Sequence, residues 1–167
     1  MRRLSTFLLT AAVLLAAQSA FAQRDAGAKI RGEYNFNGSA ATRSMQGARG
    51  YARDYREYAQ SAQKVSPEVA KETADSIGQY ITKAQKHMAW MRKQAAGDKE
   101  TLTSLDSIDK KLAAAATSHA ALHECCVKDN VDAKDSMKCC KEIDDSLTKA
   151  ISEHDTLMKR LAAVAKK

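Results

Sequence analysis

Proline occurs once in this 167-residue chain, aromatic residues make up 5% of it, and β-branched residues are few beside Ala, Lys, Leu and Ser. That composition argues against a sandwich or barrel and for an all-α chain. A Gly-rich phosphate loop, an acid pair at glycosidase geometry and a Ser/His/Asp set are all missing, so phosphoryl, glycosyl and acyl transfer have no support. Cys-x-x-Cys and Cys-x-x-Cys-His are missing as well. Thioredoxin-like exchange and covalent c-type haem attachment therefore lack their motifs. The expectation is a protein that is not an enzyme.

Long apolar runs are scarce too. Phe7 to Ala17 is the one candidate, and it is too short to span a bilayer. Arg2 and Arg3 precede it and Ala20-Phe21-Ala22 follows it, the pattern of a signal peptide over residues 1–22 cleaved between Ala22 and Gln23. No Phe-Leu follows the arginine pair at the twin-arginine distance, and no cysteine stands at the cleavage point for a lipid anchor. A periplasmic or secreted protein without stable membrane insertion is expected. Loss of Arg2 and Arg3 takes the formal charge from +7 to +5. The lysines alternate with Asp and Glu instead of forming a stripe, which speaks against a nucleic-acid partner.

What is there reads as an up-down antiparallel four-helix bundle over residues 39–167, after a short extended arm over 23–38 that carries Gly and Asn. Ser39 is the expected N-cap of a helix over 40–63, with Met45, Ala48, Ala52, Tyr55, Ala59 and Ala62 at steps of three and four. Tyr51, Tyr55 and Tyr58 are expected along helix edges. Ser66-Pro67-Glu68 opens a second helix whose core positions are Ile77, Ile81, Ala84, Met88 and Met91. Gly97 stops it and Asp98 caps a third, with Leu105, Leu112, His119 and Cys126 on one seam position and Ile108, Ala115 and Leu122 on the other. A fourth helix from about Asp132 repeats the pattern with Cys140, Leu147, His154 and Leu161. Short connections make successive helices antiparallel neighbours.

Four cysteines and three of the four histidines gather around the last connection or on the helices it joins. His119, His123, Cys125 and Cys126 precede it; Met137, Cys139 and Cys140 follow it. Thiol, thioether and imidazole are the ligands of a soft metal, copper as Cu(I) ahead of zinc. Folding the fourth helix back along the third sets Cys140 near the level of Leu122. His119, His123, Cys126 and Cys140 are thus expected to converge inside the bundle, with Cys125 and Cys139 at its flank. The competing reading is structural: four cysteines in an exported chain form disulfides, each stabilising by ~3 kcal/mol. A second candidate metal site arises from His87 with Met91 and His154 with Met158, each a His-x-x-x-Met spacing that puts both side chains on one helix face. Four of the five methionines after the initiator collect at that level. Methionine often fills core gaps, which is the plainer account of such a stripe.

With its signal peptide, its four helices and His119, His123, Cys125, Cys126, Cys139 and Cys140, the chain resembles the exported bacterial four-helix-bundle copper-binding and copper-storage proteins. That resemblance implies a non-catalytic protein whose partner is a metal ion, sequestered or handed over. Those storage bundles carry many thiols at Cys-x-x-x-Cys spacing along several helices, whereas this chain has vicinal pairs on two. One or two small sites fit better than bulk storage. The alternative is a disulfide-stapled helical interaction or chaperone-like protein without metal. No protein partner is legible in the sequence.

Overall fold

The computed structural model describes residues 4–95, 97–128 and 130–164, with side chains from residue 32 onward. The described residues form four helices and no strand: α1 Leu4–Ser61, α2 Pro67–Gln94, α3 Lys99–Cys126 and α4 Ala133–Val164. Two compact units divide the chain, residues 1–36 and residues 37–167. The first is backbone of α1; the second is the four-helix bundle. The side chains of the signal-peptide features, from Arg2 to Ala22 and Gln23, lie outside those described. Among the described residues, no helix is long and apolar enough to cross a membrane.

Residues 23–38 are helical within α1, not the extended arm expected from their Gly and Asn. The last of these residues, Gly38, lies against α4. A Cβ there would stand 2.7 Å from the Sδ and Cε atoms of Met158, so the glycine serves a close approach to α4 rather than a break in the helix. Asn37 likewise accepts a hydrogen bond from His87 Nδ1 at 2.9 Å, a tertiary contact that outweighs its weak helix propensity.

The other helix ends follow local chemistry. Ser66 caps α2, its hydroxyl accepting from the Val69 amide, with Pro67 in the first turn and Arg92 and Lys93 in the last. Gly97 takes φ +95°, a left-handed conformation that glycine adopts without strain, and ends that segment. Asp98 caps α3, accepting from the Thr101 amide at 3.0 Å and its hydroxyl at 2.6 Å. Asp132 accepts from the Lys134 and Asp135 amides at 2.8 and 3.1 Å at the start of α4.

The apolar seams meet as the periodicity predicts. Met45, Ala48, Ala52, Tyr55 and Ala59 of α1 are buried, as are Ile77, Ile81, Ala84, Met88 and Met91 of α2. Leu105, Ile108, Leu112, Ala115 and Leu122 of α3 pack with Ile143, Leu147, Ala150 and Leu157 of α4 in the same interior. Polar pairs set the register. Thr101, Lys111 and Ser118 of α3 meet Arg160, Glu153 and Glu142 of α4, so partner numbers fall as chain numbers rise. Thr42, Arg49 and Tyr55 of α1 meet His154, Asp144 and Ser136 in the same descending order.

Asp144 is the one carboxylate in the buried set. Burial pushes its carboxyl up, but Arg53 and Arg49 donate to its two oxygens at 3.0 and 2.9 Å and hold it below the usual carboxylate range. Asp144→Asn is expected to cost about 1–3 kcal/mol at pH 7, discounted because Arg53 is half exposed. Since the folded carboxyl titrates lower than the unfolded one, its contribution is complete above about pH 4 and is lost as pH falls through the folded value. Urea unfolding of both proteins at pH 7 and pH 3 should show the gap between them shrinking in acid.

Candidate functional site: a thiol cluster at the end of α3 and α4

The last turn of α3 carries Cys125 and Cys126, and the second turn of α4 carries Cys139 and Cys140. All four are free thiols, so the disulfide-stapled arrangement is not present in this structure. Cys126 and Cys140 are buried, while Cys125 and Cys139 are half-buried at the flank, as expected from a rotation of about 100° per residue.

Tyr55 of α1 closes the cluster. Its ring is 2% exposed, its hydroxyl donates to Ser136 Oγ at 3.3 Å, and it lies 4.0 Å from Cys126 Sγ. Burial pushes the Cys126 thiol up to about 11 and the Cys140 thiol up to about 12. Burial also raises Cys139, helped by Cys125, Glu142 and Asp135. At neutral pH the two inner groups are protonated thiols, which are weaker nucleophiles than thiolates.

The histidines of α3 turn elsewhere. His119 Nε2–H donates to the Ala74 carbonyl of α2 at 2.9 Å, and His123 Nε2 stands 3.5 Å from Asp75 Oδ1. The ring of His119 lies over Gly78, where a Cβ would come within 2.6 Å of Cε1. The expected convergence of His119 and His123 with Cys126 and Cys140 therefore does not form. Among the described residues, no three His, Cys, Asp or Glu side chains are arranged to hold a metal ion. An imidazole on that seam can reach inward or toward α2. The Ala74 carbonyl and the hollow at Gly78 capture it on the α2 side, because a buried ring N–H without a partner is costly.

The histidines of the second candidate site have partners on α1. His87 Nδ1 donates to Asn37 Oδ1, and burial lowers its pKa, with Lys86 and Arg43 adding to the effect. His154 is buried on α4, its Nδ1 3.1 Å from Thr42 Oγ1 and its Nε2 without a hydrogen-bond partner. Met91 is fully buried on α2 and Met158 half-buried on α4 beside Gly38.

Sequence reasoning missed Tyr55, Ser136 and Thr42 as neighbours of these sites. Tyr55 occupies a core step of α1 rather than an edge, and its place on the apolar stripe was the available signal. Tyr58 and Tyr51 do sit at edges, Tyr58 accepting from the Ser66 amide at 2.8 Å and Tyr51 packing on Tyr80 at 5.8 Å. Gly78 inside a long helix was the signal for the His119 contact.

Fold and site together define a helical bundle with four free cysteines on the two helices that flank its last connection. No protein-family model matches the chain, and no curated protein or solved structure is significantly similar to it.

Two outcomes follow from this geometry. Gly78→Ala should destabilise by about 1–3 kcal/mol, the overpacking cost outweighing alanine's better helix propensity, and His119→Ala in the same chain should remove most of that penalty. Both are read from chemical unfolding. A thiol reagent at pH 8 should modify Cys125 and Cys139 quickly in native protein, and Cys126 and Cys140 only at the rate of opening, as resolved by mass spectrometry.

Proposed function

We propose that this chain is an exported, up-down antiparallel four-helix bundle that binds copper as Cu(I) through Cys126 and Cys140, with Cys125 and Cys139 as the outer pair. It sequesters the ion or hands it over and catalyses nothing. One observation carries the reading: four free cysteines, two buried and two half-buried, stand in vicinal pairs on the two helices that flank the α3–α4 connection. Thiolates select Cu(I) over harder ions, and zinc is the second choice of the same donor set. The descending order of inter-helix partners supports the antiparallel topology. Residues 1–22 support export to the periplasm or beyond.

The likeness to exported copper-binding bundles agrees with this reading at the level of architecture and donor type. His119 serves to fasten α3 to α2. His123 is 44% exposed and weakly held, so it is the imidazole able to swing toward the outer thiols. A metal-free, disulfide-stapled interaction protein is the alternative, favoured by an oxidising compartment. In that state the same thiol pairs would be joined across the α3–α4 connection.

Anaerobic titration of reduced protein against a Cu(I) chelator distinguishes them. Tight binding is expected, with a rise in thermal stability. Both inner thiols are protonated at neutral pH and must release a proton each, so apparent affinity should rise about a hundredfold per pH unit between pH 6 and 8. Replacing Cys126 and Cys140 by Ser should abolish tight binding at this cluster, whereas His119→Ala should lower stability and leave copper stoichiometry unchanged. Protein from its native compartment with two disulfides, taking up neither copper nor zinc once reduced, would establish the stapled bundle instead.

A further inference from the structure

We infer that His154 Nε2 and Met158 Sδ form a separate site for a soft monovalent cation, Cu(I), between α4 and α1. The observation that carries it is a stranded nitrogen. His154 is 1% exposed, and its Nε2 has no hydrogen-bond partner in an interior that would otherwise demand one.

Thr42 decides which form that nitrogen takes. Its hydroxyl lies 3.1 Å from Nδ1. With Nδ1–H donating to Thr42 Oγ1, the lone pair of the neutral ring falls on Nε2, facing no donor. This is how an outer partner orients a ligating imidazole: one nitrogen is tied to an oxygen and the other is left for a metal. The opposite tautomer would bury an unpaired N–H, with no partner among the described residues to satisfy it. Burial also lowers the basicity of the ring, which keeps it neutral at physiological pH.

The second donor is four residues on, one helical turn along the same face. Gly38 of α1 sits under both side chains: a Cβ there would stand 2.7 Å from Met158 Sδ and 3.6 Å from His154 Cε1. The missing side chain on α1 thus leaves room for the thioether and the imidazole side by side. Two further buried thioethers, Met45 one turn along α1 from Thr42 and Met88 beside His87 on α2, stand at neighbouring levels. His87 is tied through Nδ1 to Asn37 Oδ1 at 2.9 Å.

The donor set names the ion. Both donors are neutral and soft, and the nearest atoms to a Cβ at Gly38 are those of Met158 and His154, while exposed Asp155 next to His154 is the charged group that acts on its ring. Desolvation cost climbs steeply with ionic charge, so a divalent ion without a neutralising ligand is disfavoured there. Thioether and imidazole suit Cu(I), and a thioether is not consumed by the disulfide formation that disables thiols outside the cytoplasm. The site stands on its own observation and does not depend on the thiol cluster.

The full chain with ¹⁵N-labelled histidine tests it, titrated anaerobically with Cu(I) and observed by NMR. Copper is expected to move the Nε2 resonance of His154 while Nδ1 stays protonated. Met158→Leu, a volume-conserving change, should weaken that site about tenfold or more, and Thr42→Val, which frees the tautomer, should weaken it about tenfold. His154→Leu should lower copper stoichiometry by one ion. Filling of the thiols with no movement of His154 at saturating copper overturns this inference and leaves the thiol reading intact. Movement of His154 while the thiols stay metal-free does the reverse. Equal affinity and stoichiometry in wild type, Met158→Leu and His154→Leu would return His154 to plain core.

Discussion

Small side chains fill much of this interior. Ala41, Ala48 and Ala52 of α1, Ala70, Ala74 and Ala84 of α2, Ala115 of α3 and Ala150 of α4 are all buried, which lets helix axes approach closely. At that spacing a large or polar side chain fits only where the facing helix offers a hollow. Gly38 takes Met158 and the edge of His154, Gly47 takes the ring of Tyr80, and Gly78 takes His119. The positions of the functional candidates are set by this complementarity of ring and hollow more than by their spacing along their own helix.

The same close packing keeps water out, and exclusion of water governs the chemistry. Cys126, Cys140 and His154 are held in their uncharged forms because a lone charge in that interior is unfavourable. Asp144 escapes the rule only because two arginines reach it.

The limits of sequence reading lie where two helices compete for one side chain. The caps at Ser66, Asp98 and Asp132 and the buried steps from Ile77 to Met91 were legible, since each depends on a few neighbouring residues. The rotation that buries Cys126 and Cys140 and leaves Cys125 and Cys139 at the flank was legible for the same reason. His119 was not. Its heptad position allowed it to face the cysteines, and a carbonyl on α2 together with Gly78 drew it away. The helical state of Asn37 and Gly38 was hidden likewise, because glycine and asparagine read as breakers until their partners on α4 and α2 are known.

By itself, then, the sequence determined an all-helical chain of four segments, their caps, their apolar seams and the gathering of soft donors near one connection. These follow from periodicity and local hydrogen bonding, which a linear string carries. Only the tertiary structure decided that the α3 imidazoles turn to α2, that Tyr55 lies over the inner thiols, and that His154 keeps one nitrogen unpaired beside a thioether. Those outcomes depend on which atoms of a neighbouring helix satisfy a buried polar group first, and that competition is settled at distances of a few ångströms that residue spacing does not encode.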